Sequence, residues 1–200
     1  MRSDKLLMIF VKNPELGKVK TRLAKTIGAE RALRVYKKLL AQTNRIANNV
    51  NADKAVFYSE YADDFDMWDD HVFQKYVQQG NNLGERMYNA FKRAFGKGYK
   101  HVCIIGSDCY ELKSWNIEEA FYMLEMKNAV IGPSEDGGYY LLGLNTLDEK
   151  FFVNKKWSTE DVFLDTLLDI QKLKLSYSLL ETLSDVDYEE DLGELKKLIE

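Results

Sequence analysis

The sequence predicts an α/β fold, a three-layer α/β/α arrangement around one mostly parallel central sheet. Three observations lead there. Apolar runs of strand length alternate with segments of helical periodicity along nearly the whole chain, and that alternation builds βαβ units whose sheet is covered on both faces. Only Pro14 and Pro133 interrupt 200 residues, where average usage of about 5% would give roughly ten. The composition, 46% hydrophobic with 12% aromatic and 30% charged residues, suits a soluble globule with a substantial core. The length fits one domain over residues 1–200, and no repeat, linker or low-complexity segment divides it.

The elements follow in order. Lys5 to Val11 is a continuous apolar run, read as a buried strand. Residues 20–50 carry helical spacing through Leu23, Ile27, Leu33, Tyr36, Leu40 and Ile46, with a break near Gly28. Asp53 to Tyr58 is a second strand, followed by an acidic stretch, 60–70, with six carboxylates and no basic residue. Val72 to Val77 is a third strand. Leu83 to Phe95 is a helix with Met87, Ala90, Phe91 and Ala94 on one face. His101 to Ile105 is the fourth strand. A helix over about 114–126 opens at Ser114, a natural N-cap, and turns Ile117, Phe121 and Leu124 inward. Strands at Ala129 to Ile131 and Tyr139 to Leu144, a helix near 159–172, a strand near 174–180 and a last helix from about Glu189 complete the chain.

Several functions are disfavoured by what the sequence lacks. No apolar run approaches the roughly 20 residues a membrane helix needs, so no membrane insertion is expected. Met1-Arg2-Ser3-Asp4 leads straight into the first apolar run without a cleavage pattern. Two cysteines, Cys103 and Cys109, are too few for a disulfide framework and suit a reduced cytoplasm. His71 and His101 form no ligand spacing with them, so neither a zinc site nor a His-dependent nucleophilic triad is expected.

The net charge of −4 conceals two opposed segments. Lys12 to Lys38 holds nine Lys/Arg against two Glu, and Glu181 to Glu200 holds eight acidic against two basic residues. This asymmetry suggests an anionic ligand near the first segment and a cation near the last, with solvated helix faces as the plain alternative. Nucleic acid is not expected as the partner, because Leu33, Val35 and Leu40 turn much of the basic segment towards the core.

In open α/β sheets ligands bind beyond the carboxyl ends of the strands. That rule selects loops 12–22, 78–86, 106–112 and 132–138, which contain both prolines and seven of the twelve glycines. The first loop places Lys12, Lys18, Lys20 and Arg22 between a buried strand and a helix, a setting for a polyphosphate. It departs from a P-loop, with Lys12 at the leading Gly position and Val19 after Lys18, and no G-x-G-x-x-G run occurs. A basic surface turn is the alternative. Gly106-Ser107-Asp108 ends the fourth strand, where Asp108 could hold Mg²⁺ or Mn²⁺ against phosphates or simply make an Asx-turn. Cys109 offers a thiol in the same turn, without a nearby His.

Asp136-Gly137-Gly138 precedes an aromatic strand. It allows close backbone approach to a ligand, though a plain hairpin would also use Asp-Gly. Asp185 and Asp187, at i and i+2, project the same way from an extended segment and suit a shared cation; helix capping explains them equally. The 60–70 stretch with Tyr61, Phe65 and Trp68, and the 145–158 segment running into Trp157-Ser158-Thr159, fit either an acceptor side or amphipathic packing.

Taken together, five motifs resemble a known family. They are Phe10-Val11-Lys12-x-Pro14-x-x-Gly17-x-Val19-Lys20-Thr21-Arg22-Leu23, Asn82-Leu83-Gly84-Glu85-Arg86-Met87, Gly106-Ser107-Asp108, Gly132-Pro133-x-x-Asp136-Gly137-Gly138-Tyr139-Tyr140-Leu141-Leu142-Gly143 and Asp185-Val186-Asp187-x-x-x-Asp191-Leu192. In this order they resemble the bacterial transferases associated with radical-SAM and selenoprotein-type domains. That family is similar to the GT-A-type nucleotide-diphospho-sugar transferases, and more distantly to guanylyltransferases acting on phospholactate and on the molybdenum cofactor.

The resemblance implies a nucleotide-phosphate loop of Lys12, Pro14, Gly17, Lys18, Lys20, Thr21 and Arg22. It implies base-side contacts at Gln79, Gly80, Gly84 and Arg86, further nucleotide contacts at Ser107, Gly137 and Gly138, and a metal on Asp108 with Asp187 or Asp185. Tyr110 departs from the family's pattern, which has Pro there.

The leading expectation is a metal-dependent transferase using a nucleotide sugar, with Lys20 and Arg22 assisting the leaving diphosphate and Asp136 acting on an unknown acceptor. Nucleotidyl transfer from an NTP, with pyrophosphate release, uses the same parts. A non-catalytic nucleotide-binding module is the third reading.

Overall fold

The computed structural model describes residues 3–157 and 159–199. Met1, Arg2, Ser158 and Glu200, which enter the leader, charge and 145–158 readings above, lie outside the described residues. The chain runs β1 (Lys5–Val11), α1 (Thr21–Ile27), α2 (Ala29–Asn48), β2 (Asp53–Tyr58), β3 (Phe73–Val77), α3 (Leu83–Gly96), β4 (His101–Ile105), α4 (Ser114–Leu124), β5 (Ala129–Pro133), β6 (Tyr139–Leu144), α5 (Val162–Lys172) and β7 (Tyr177–Leu179). Short 3₁₀ segments occupy Glu149–Phe151 and Glu190–Leu198.

The seven strands form one sheet in the order β3-β2-β1-β4-β6-β5-β7. Only β6 is antiparallel, against both β4 and β5; the remaining pairs are parallel. All strands except β6 therefore end at the same edge of the sheet. The period-2 alternation of β1 divides its apolar run between the two layers. Leu7, Ile9 and Val11 pack into the core with Tyr36 and Leu40 of α2 and with Ile117 and Phe121 of α4. Leu6 and Met8 face Met87 and Phe91 of α3 and Ile170 of α5. A strand apolar from Leu6 to Val11 suits a doubly covered parallel sheet.

A third cluster sets the site. Leu23 and Ile27 of α1 with Val35 and Leu39 of α2 bury Val186, Leu192 and Leu195 of the C-terminal segment. This packing lays the acidic end of the chain across the basic start of α1.

Several boundaries differ from the expectations, each for a local reason. The break expected near Gly28 is present, its φ of 85° ending α1 and beginning α2, and the differences lie elsewhere. Ser114 is the first residue inside α4, not its cap. The cap is Lys113, whose backbone N–H donates to Asn116 Oδ1 at 2.9 Å. The last helix is a 3₁₀ segment kinked at Gly193. Helix α5 begins at Val162, three residues later than 159. No helix among the described residues is long and apolar enough to cross a membrane.

Candidate active site

A cavity of about 560 Å³ opens at the edge where the parallel strands end. Its cationic wall is built by the loop between β1 and α1. Asn13 fixes that loop from below: its buried side chain donates to the Tyr61 carbonyl at 2.9 Å and accepts from the Glu60 N–H at 3.1 Å. Tyr36 fixes the loop from α2. Its hydroxyl accepts from the Lys12 N–H at 2.8 Å, bonds the Lys12 carbonyl at 3.0 Å and reaches Ser107 Oγ at 3.3 Å. One buried phenol thus ties the first loop to the turn after β4. Burial raises its pKa well above the ordinary tyrosine value, so it remains a neutral donor and acceptor.

At the end of the loop Lys20 caps α1 in the left-handed conformation, φ 47° and ψ 46°. This backbone costs roughly 1–2 kcal/mol for a residue with a Cβ, and it accompanies a Lys20 side chain only 4% exposed. The ammonium lies 2.6 Å from Asp108 Oδ1 and 3.3 Å from Asp187 Oδ1. Burial alone would lower its pKa, but the charges of Asp108 and Asp187 outweigh burial and leave it raised. Arg22 Nη1 holds the other oxygen of Asp187 at 3.0 Å. Asp187 therefore bridges the two cations, and its backbone N–H is in turn held by Asp191 Oδ2 at 2.9 Å.

Asp108 is anchored through its own carbonyl, which accepts from the Val186 N–H at 3.0 Å, while Glu111 Oε2 accepts from the Ser184 N–H at 3.1 Å. These bonds join the two acidic loops, and Tyr110 packs against the α1–α2 cluster. Asp185 lies between them. Burial, then the charges of Asp108, Asp136 and Asp187 acting against the pull of Lys20, push its carboxyl up to about 7. Asp136 closes the acidic wall. Its Oδ1 accepts from the Ser134 hydroxyl and, at 2.9 Å, from the Gly138 N–H.

The opposite wall is apolar. Phe10, Leu83, Met87, Tyr139, Trp157 and Val162 line it. Gly84 presses directly on the indole of Trp157 and on the Phe152 carbonyl, leaving no room for a Cβ.

The comparisons with known proteins bear on the family and the fold. Residues 41–159 match the family model described as "Uncharacterized protein conserved in bacteria (DUF2064)". The chain belongs to the DUF2064 family. It is also similar, at 32% identity and a TM-score of 0.90, to a solved protein of Desulfovibrio desulfuricans G20 provisionally named a nucleotide-diphospho-sugar transferase; 96% of this chain and 86% of that one are covered. More distant likenesses show the fold. They include a cytidylyltransferase of Leptospira borgpetersenii serovar Hardjo-bovis (11% identity, 90% and 76% covered, TM-score 0.57). Another is a 4-diphosphocytidyl-2C-methyl-D-erythritol synthase of Anaerococcus prevotii DSM 20548 (12% identity, 98% and 99% covered, TM-score 0.57). No curated protein matches the chain. The fold is that of the GT-A-type nucleotide-diphospho-sugar transferases and cytidylyltransferases.

In this DUF2064 chain the cavity gathers Lys12, Lys20, Thr21, Arg22, Arg86, Ser107, Asp108, Asp136, Gly138, Asp185 and Asp187. Other residues singled out in the sequence stand off its wall. Pro14 and Gly17 lie in the outer turn of the loop, and Lys18 pairs with Glu15 at 2.7 Å and Glu60 at 3.5 Å. At the base side Gln78, not Gln79, faces the cavity; Gln79 and Gly80 use their carbonyls on Asn89 and Arg86.

Gly137, expected to approach a ligand, packs closely on Glu160. At φ 82°, a Cβ there would stand 2.1 Å from the Glu160 carbonyl oxygen. Cys109 reaches the cavity, but burial pushes its thiol up to about 12, which leaves almost no thiolate at neutral pH. The 60–70 stretch does not line the cavity, and Tyr61 and Phe65 are exposed. Trp68 is buried edge-on against Phe73, and Asp66 and Asp70 pair with Lys75 at 3.0 and 2.9 Å. Tyr36, Gln78 and Tyr139 were not distinguishable in the sequence from core and turn residues.

Proposed function

We propose that the protein is a transferase acting on a nucleotide-activated donor, with a nucleotide-diphospho sugar as the leading donor class. The observation that carries this reading is the meeting of Lys20 and Arg22 with Asp108 and Asp187 in one cavity beyond the strand ends. A diphosphate set against the first loop would find Lys12, Lys20 and Arg22 as cations and Ser107 and Thr21 as hydroxyl donors. The apolar wall with Leu83, Met87 and Trp157 suits the face of a base or a sugar ring. The 32%-identical neighbour's name supports the nucleotide-sugar donor.

Among the described residues no three Asp, Glu, His or Cys side chains are grouped to hold a metal ion by themselves, so the carboxylates suit a hard divalent cation only as a partial site that phosphate oxygens would complete. Asp108 and Asp187 are oxygen ligands that already share one positive charge, the Lys20 ammonium. Mg²⁺ or Mn²⁺, held by Asp108 and Asp187 with Asp185 adjacent, would supply charge neutralisation at the leaving diphosphate when bound.

The chain's own residues would do the rest. The acceptor hydroxyl oxygen forms a bond to the anomeric carbon while the bond from that carbon to the diphosphate oxygen breaks. The departing negative charge falls to Lys20 and Arg22. The acceptor proton passes to Asp136, whose Oδ1 is steadied by Ser134 and Gly138 so that Oδ2 is the oxygen left to accept it.

Nucleotidyl transfer is the second reading, favoured by the fold shared with cytidylyltransferases. There a phosphorylated acceptor attacks the α-phosphate of an NTP and pyrophosphate leaves towards the same cations. Hydrolysis of UDP- and GDP-sugars, set against pyrophosphate release from an NTP panel, separates the two. Absence of binding by either class with Mg²⁺ or Mn²⁺ in calorimetry overturns both.

A further inference from the structure

The ammonium of Lys20 stands where a cation shared by Asp108 and Asp187 would stand. It touches Oδ1 of both carboxylates, at 2.6 and 3.3 Å, and its side chain is 4% exposed. A divalent ion of the Mg²⁺ or Mn²⁺ kind needs these oxygens at about 2.1 Å, inside the volume the ammonium fills. Lysine and metal therefore compete for the same oxygens. The lysine stem is long and flexible, and its charge can swing while its backbone stays fixed as the cap of α1. Asp187 would not be released with it, because Arg22 keeps hold of Oδ2 at 3.0 Å and Asp191 keeps the backbone N–H.

In the protein alone the ammonium is held by Asp108 and Asp187. Leaving the two carboxylates without a new anion would strand a buried cation. Phosphate oxygens entering the cavity would supply that anion and would also complete the coordination of a metal that carboxylates hold only in part. Building on the nucleotide reading above, we propose that Lys20 is a resident counter-ion that bars free metal from the Asp108–Asp187 pair and yields it only to metal arriving with nucleotide phosphates. The protein then binds a metal–nucleotide complex as one ligand, and each component raises the affinity for the other by the same factor.

The test is Mn²⁺ binding to the full chain, followed by the electron paramagnetic resonance signal of free Mn²⁺, with no nucleotide present. Lys20→Met, and Lys20→Gln as a second variant should the first not fold, are expected to bind Mn²⁺ at least tenfold more tightly than the wild type. Lys20→Arg, which retains the charge, is expected to stay close to the wild type. Adding Asp187→Asn to Lys20→Met should remove the gain and so locate it. Equal Mn²⁺ affinity in wild type and Lys20→Met, or a gain that survives Asp187→Asn, overturns the proposal. The wild type is then titrated with Mn²⁺ beside CTP, GTP, UTP and UDP-glucose, at least one of which should raise its affinity. A gain in Lys20→Met with no effect of any nucleotide on the wild type would support the counter-ion and overturn the nucleotide reading, so the two fail separately.

Discussion

Replacing Lys20 by methionine keeps most of the stem and deletes the charge, so it measures what the buried ammonium contributes to folding. At an effective dielectric of about 20, each contact, at 2.6 and 3.3 Å, carries a gross attraction of about 5–6 kcal/mol, most of it cancelled by the cost of taking the charges out of water. Breaking a fully buried pair from one side costs about 3–5 kcal/mol. Here the partner side chains keep 46% and 34% of their exposure, and solvent relieves part of their loss. The expected destabilisation is therefore about 2 kcal/mol, or a melting temperature lower by about 4–8 °C for a domain of this size.

The measurement is urea and thermal unfolding at neutral pH without divalent ions, repeated as pH rises. The folded-state pKa of Lys20 lies above its ordinary value. Its contribution is thus fully present below the unfolded pKa near 10.5 and is lost as pH climbs through the folded value. The gap between wild type and Lys20→Met should hold through neutral pH and close only in strong alkali. A methionine variant as stable as the wild type at neutral pH would refute the reasoning, because burial would then cost the ammonium as much as its partners return.

Other outcomes follow from the same geometry. Gly137→Ala should lower stability by about 2 kcal/mol or more in thermal melts, because its Cβ would meet the Glu160 carbonyl at a strained positive φ; an unchanged melting temperature would contradict that packing. Tyr36→Phe should cost about 1–2 kcal/mol in urea unfolding, since the hydroxyl that bonds both polar groups of the Lys12 backbone is lost. Cys103 and Cys109 are buried, and burial raises both thiols. A chromogenic disulfide reagent at pH 8 should label them only after denaturation, and fast labelling of the native protein would count against the burial. If the transferase reading holds, Asp136→Asn should lower turnover by about 10²–10⁴-fold with nucleotide affinity within about twofold, as calorimetry would report.

Strand and helix existence was legible because the core is two-sided and periodic. The continuous apolar run of β1 and the spacing of Met87, Ala90 and Phe91 leave few other arrangements. Termini were harder. Ser114 looks like a cap by residue type, yet the capping oxygen belongs to Asn116, inside the helix. Gly193 takes a backbone turn that residue type alone does not announce.

At the cavity, the two charge-biased segments could each be seen, but not that they meet. Nothing local to Asp187 points to Lys20, and their pairing depends on Val186, Leu192 and Leu195 docking onto α1 and α2. A one-residue offset separates Gln78 from Gln79, because a loop leaving a parallel strand has no alternation left to fix its register. Trp157 could be read only as an open choice between acceptor side and packing. Tyr36 carries the spacing of an ordinary helix-core residue, and its hydroxyl role depends on the loop above it.

The contact between Lys20 and Asp187 joins residues 167 positions apart, and this has a consequence for synthesis. A nascent chain can pair β1 with β2 and β4 while later residues are still in the ribosome. The anionic side of the cavity has to wait for the segment around residues 184–198. Until that segment emerges, Lys20 and Arg22 lack their Asp187 partner, and α1 lacks much of its apolar cover. The ligand cavity is thus among the last regions to be completed, and a stalled chain would hold much of the sheet while its working end remained open.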